Sequence, residues 1–121
     1  MKITALILFL HLISNNFLLE NTCVIKCQEL NTNNKIPAKG IPFSLIIKTG
    51  PKKELALSSN QNGVLIIDKV LYAKIKNELI SSFHFLNPSD HEYYGTPYQL
   101  YNKKVKLSEI CGKTLAVDRI W

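Results

Sequence analysis

The sequence predicts an all-β protein: a small antiparallel β-sandwich of about seven strands, preceded by an N-terminal signal helix. Three observations carry that reading. Short apolar runs alternate with polar residues along most of the chain beyond residue 22. Clusters of Asn, Gly, Pro and Ser recur between these runs with turn chemistry. The first 22 residues have an apolar composition of their own. The whole chain has 121 residues, 46% of them hydrophobic and 20% charged, with a formal net charge of +6. That length suits one domain, and the composition excludes a disordered, collagen-like or polytopic membrane protein.

Residues 1–22 read as a signal peptide or N-terminal anchor, and residues 23–121 as a single sandwich domain. Lys2 supplies the positive start, and residues 3–13 form an apolar run broken only by Thr4 and His11. As a helix that run reaches ~17 Å, short of a ~30 Å hydrocarbon core, which fits an export signal better than a spanning helix. No A-x-A cleavage pattern follows, so retention as an anchor stays open. Glu20, Asn21 and Thr22 before Cys23 are unlike a lipidation site, and Lys26 before Cys27 is less suitable still. Lys2 and Glu20 cancel, so the remaining domain keeps the charge of +6.

Within the domain, residues 24–30 alternate weakly and read as a first strand, followed by an Asn-rich turn at 31–35. Residues 41–48 are the strongest strand, with Pro42 confined to its start. Gly50-Pro51-Lys52-Lys53 turns the chain into residues 54–59, where Leu55 and Leu57 share a face. Asn60-Gln61-Asn62-Gly63 is another turn, since Asn and Gly tolerate positive φ. Residues 64–68 form an apolar strand. Residues 69–80 fit both periods: Leu71, Ile75 and Leu79 at helical spacing, Leu71, Ala73 and Ile75 at strand spacing. The short β-like flanks favour a strand. Residues 79–86 alternate around Ser81, Phe83 and Phe85, ended by Asn87-Pro88-Ser89-Asp90. A tyrosine-rich loop covers 93–101, and residues 103–110 alternate with Val105 and Leu107 inward. The apolar tail 115–121 either packs as a last strand or offers Trp121 to a partner, and the packed form is expected.

An exported chain meets conditions in which disulfides persist. Of three cysteines, Cys27 and Cys111 are the preferred pair, since the first and last strands of a small sandwich often adjoin; Cys23 to Cys27, or three unpaired thiols, are the alternatives. Zinc held by His84, His91 and a cysteine lacks the paired ligand spacing of structural sites, so no metal is expected. Nothing in the residues implies a cofactor.

Two stretches are familiar. Lys39-Gly40-Ile41-Pro42-Phe43-Ser44-Leu45-Ile46 resembles the second strand of carboxypeptidase regulatory-like and transthyretin-like domains. Residues 58–66, Ser-Ser-Asn-Gln-Asn-Gly-Val-Leu-Ile, resemble a turn-and-strand segment of the same domains. Lys76-Asn77-Glu78-Leu79 departs from the Pro-Gly-x-Tyr stretch often found there. The resemblance implies an Ig-like or prealbumin-like sandwich, secreted, periplasmic or otherwise in the cell envelope, that binds or stiffens rather than catalyses. Fold analogy alone does not establish function.

The leading functional expectation is therefore an exported, non-enzymatic module making protein or cell-surface contacts. Tyr93, Tyr94, Tyr98 and Tyr101 are its candidate surface, because tyrosine offers large amphipathic area at low entropic cost; the competing role for them is to cap the core. An alternative is a basic face of Lys52, Lys53, Lys74, Lys76, Lys103, Lys104 and Lys106 that binds anionic polysaccharide or lipid headgroups. Outward lysine also serves simply to prevent edge pairing. A third, an enzyme, would be a small hydrolase pairing Cys111 with His91 or His84, oriented by Asp90. Nucleic acid is not an expected partner, since no recognition motif is present.

Overall fold

The computed structural model describes residues 22–30, 39–87 and 94–120. The expected signal helix and the Asn-rich turn at 31–35 lie outside them. In chain order the elements are β1 (Cys23–Glu29), β2 (Phe43–Gly50), β3 (Lys53–Ser58), β4 (Val64–Ile67), α1 (Lys69–Ile75), β5 (Ile80–Phe85), α2 (Leu107–Ile110) and β6 (Thr114–Val117). The architecture is mostly β: two three-stranded sheets, ordered β4-β1-β6 and β3-β2-β5, form a small sandwich. Six strands replace the expected seven among the described residues, and one pairing is parallel.

The period-two pattern decides what each sheet buries. Cys23, Ile25 and Cys27 of β1, with Leu65, Ile67, Leu115 and Val117 beside them, line one inner face. Phe43, Leu45 and Ile47 of β2 line the other. Opposite them Leu57 pairs with Leu45 and Leu55 with Ile47, while Phe83 and Phe85 of β5 pair with Leu45 and Phe43. Phe43 and Phe83 stack with centroids 5.5 Å apart, and Phe85 meets Phe83 edge-on at 5.0 Å.

The turn before β4 is fixed by side-chain chemistry. Asn60 Oδ1 accepts from the backbone N–H of Asn62 at 2.9 Å and of Val64 at 3.1 Å, so one amide holds the whole turn. Gly63 follows at φ +74°, and a Cβ there would stand 2.6 Å from Ile41 N and 2.7 Å from Cys27 O. This close approach lets β1, β4 and the start of β2 meet: Gly63 O accepts from Cys27 N and Cys27 O from Ile41 N, both at 2.9 Å.

Two expectations are corrected here. Residues 69–75 are helix, not strand. Asp68 Oδ1 accepts from Leu71 N at 2.9 Å, an N-cap that satisfies a first-turn donor, and Leu71 and Ile75, four apart, turn toward the core. Residues 103–110 are not a strand either. Val105 and Leu107 are buried as expected, but the stretch is irregular until the single turn of α2, where Cys111 N donates to Leu107 O at 3.1 Å. The tail forms β6, which lies parallel to β1 with Cys27 opposite Leu115.

α1 carries the chain from the end of β4 to the start of β5, so it closes one pole of the sandwich. α2 closes the same pole: Leu107 N donates to Glu78 O at 3.0 Å and Ser108 N to Lys76 O at 2.9 Å. Among the described residues no helix is long and apolar enough to cross a membrane.

Candidate functional site

β6 would be an open edge were it not covered by the chain that follows β5. Gly95 N donates to Asp118 O at 3.0 Å and Tyr98 N to Ala116 O at 3.2 Å. Gln99 completes the cover, its Oε1 accepting from Ala116 N and its Nε2 donating to Thr114 O, each at 3.1 Å. This side-chain amide stands in for a missing strand and blocks edge pairing.

A clasp fixes the far end of that segment. Arg119 Nε donates to Glu29 Oε1 at 2.9 Å and its second nitrogen to Oε2 at 3.2 Å, the two-pronged geometry that makes arginine–carboxylate pairs strong. Tyr94 OH donates to Glu29 Oε2 at 3.2 Å, and the guanidinium lies 5.5 Å from the Tyr94 ring centroid. The hydrogen bond from Arg119 chiefly holds the Glu29 carboxyl below the ordinary glutamate value, with burial opposing it and Tyr94 adding to it.

Segment and tail together leave a groove of about 260 Å³ lined by Gly95, Thr96, Tyr98, Tyr101, Asp118 and Ile120. Its apolar groups remain open to solvent: Tyr98 is 52% exposed, Tyr101 62% and Ile120 55%. Tyr98 OH donates to Asp118 Oδ2, and this bond raises the Tyr98 hydroxyl above its ordinary value. The groove thus offers two aromatic faces, one aliphatic side chain and one carboxylate on a backbone already tied down.

The four candidate tyrosines therefore divide. Tyr98 and Tyr101 line the groove. Tyr94 is buried, packs on Phe85 at 5.9 Å and belongs to the core. Tyr93 lies outside the described residues. Asp118, Ile120 and Thr96 went unseen in the sequence; the apolar tail was the available signal, but its place beside the tyrosines depends on how β6 pairs.

The disulfide joins Cys23 to Cys111, across a sequence separation of 88 and with Cα atoms 5.2 Å apart, which corrects the expected Cys27–Cys111 pair. The reason is register. Cys27 lies beside Leu115 in the middle of β1, whereas Gly112 N donates to Val24 O at 2.9 Å and brings residue 111 to the strand's first residues. Cys27 is an unbridged core residue whose thiol burial pushes up to about 12. Because Cys111 Sγ is bonded to Cys23, it carries no thiolate for a Cys-His hydrolase. His84 lies on the outer face of its sheet, Nε2 3.1 Å from Ser82 Oγ; His91 and Asp90 lie outside the described residues. Among the described residues no three His, Cys, Asp or Glu side chains gather as metal ligands.

The lysines are exposed, and most of them gather at the pole closed by the helices. Lys52 and Lys53 sit at the β2–β3 turn, Lys74 and Lys76 at the end of α1, and Lys104 and Lys106 just before α2. Lys103 lines a shallow depression with Glu109 and Lys113. No family model, curated protein or solved structure matches the chain.

Proposed function

We propose that the chain is an exported, non-catalytic β-sandwich module of the cell envelope or exterior that works by contact, with the groove of Tyr98, Tyr101 and Ile120 as its contact surface. The observation that carries the reading is the exposure of those three apolar side chains around Asp118 on a segment held in place by β6. Exposed tyrosine on a preset backbone offers contact area without a large ordering cost on binding. The Cys23–Cys111 bridge is compatible with an oxidising compartment. The Ig-like or prealbumin-like character stays a proposal resting on the resemblance, supported by the Gly63 turn.

The test is a paired one. Tyr98→Ala with Tyr101→Ala is expected to keep the cooperative melting transition, because both rings are exposed, and to lose partners cross-linked from the envelope or surrounding medium. Undiminished cross-linking, or loss of the melting transition, contradicts this role for the groove.

A second reading has its own observation. None of the seven candidate lysines makes an ion pair with a described residue, so their charge is available to an anionic surface.

A further inference from the structure

Charge is spread unevenly over the sandwich. The pole where β1 begins and α1 and α2 close the core holds six of the seven candidate lysines, all but Lys103, together with Lys48, Lys69 and Lys113. Against these nine stand Glu54, Asp68, Glu78 and Glu109, a surplus of five; the other described residues contribute a surplus of two. Edge protection does not account for this, because most of these lysines lie on helices and connections rather than on edge strands. None of the nine is ion-paired with a described residue.

Apolar side chains stand out among them. Val70 is 60% exposed on the face of α1 that also carries Lys69, Ala73 and Lys74, while Leu71 and Ile75 turn inward. Leu79 is 38% exposed and lies between two lysines, its carbonyl accepting from Lys48 N at 3.0 Å and its backbone bridged to Lys106. The chain also enters the described domain at this pole, through Thr22 and Cys23, and the apolar run of residues 3–13 lies upstream of that point.

We infer that this pole docks on an anionic phospholipid surface, with the lysines meeting headgroup phosphates and Val70 and Leu79 entering the acyl boundary. The inference deepens the second reading above and rests on it, not on the tyrosine groove. A sulfated polysaccharide would satisfy the lysines but gives Val70 and Leu79 nothing apolar to enter. Basic residues near a charged leaflet each strengthen attachment about fivefold, within a distance set by salt screening.

Vesicle flotation of the protein as recovered from its host tests this, with phosphatidylcholine vesicles and with the same vesicles containing phosphatidylglycerol. Binding is expected only with phosphatidylglycerol, weakening steeply as salt is raised. Lys74→Gln with Lys76→Gln should lower partitioning about tenfold or more. Val70→Ser should lower it severalfold while leaving elution from heparin unchanged. All three positions are exposed, and circular dichroism with an intact Cys23–Cys111 bridge verifies folding. Equal binding to both vesicles, indifference to the lysine pair, or indifference to Val70→Ser alongside tight heparin binding would overturn the proposal. Tyr98→Ala with Tyr101→Ala should leave flotation unchanged, so failure here and failure of the groove are told apart.

Discussion

Gly63 shows how much one residue can hold. Its left-handed backbone and the absence of a Cβ let Cys27 and Ile41 approach within hydrogen-bonding range of the turn. Gly63→Ala is expected to cost at least about 2 kcal/mol, since it adds both backbone strain and a collision with main-chain atoms; urea denaturation measures it. Glu29 makes a prediction in pH. Its folded-state carboxyl titrates below the unfolded one, so the clasp contributes stability that is full above the unfolded value of about 4.3 and is lost as pH falls through the lower folded value. Glu29→Gln should flatten that part of the acid limb in a melting-temperature series, and an unchanged limb would remove the clasp from the account. Cys27 should resist alkylation in the folded protein, its thiol being buried and hard to ionise. It should react once the chain is denatured, which mass spectrometry of the alkylated chain reads directly.

Elements were legible where burial has one period and a turn has its own chemistry. β2 is recognisable as a short, mostly apolar run, Phe43, Leu45, Ile46 and Ile47, with Pro42 before it; the turn at 60–63 is recognisable from Asn and Gly. At α1 the expected strand gives way to helix because Leu71 and Ile75 serve both periods, so apolar spacing alone does not separate the two. The cap settles the local competition by satisfying the first-turn donor at Leu71. Asp68→Ala is accordingly expected to destabilise by about 1 kcal/mol, readable in the thermal midpoint. The 103–110 stretch failed differently. Val105 and Leu107 stand at strand spacing, but Val105 lies before α2, and within α2 burial falls on Leu107 and Ile110, three apart as in a helical turn.

At the scale of the molecule, the sequence showed two packed sheets' worth of apolar alternation but not how they are ordered. Two long-range pairings on β6 are not encoded in local pattern. Its parallel register with β1 brings Cys111 to Cys23, and its other edge, covered by Gly95 and Tyr98, sets Asp118 and Ile120 beside Tyr98. Closing the loop between Cys23 and Cys111 stabilises the fold by about 4.6 kcal/mol in the chain-entropy account. Cys23→Ser should therefore lower stability by several times the cost of the Asp68 change, while Cys27→Ser should leave the bridge intact.

Export and oxidation underlie every contact role assigned to this chain, and one measurement addresses them together: the mass and non-reducing peptide map of the protein recovered from its host. The expected result is a chain outside the cytosol with Cys23 linked to Cys111 and Cys27 alkylated only after denaturation. A cytosolic chain with three reduced thiols, or a bridge that includes Cys27, would contradict the account.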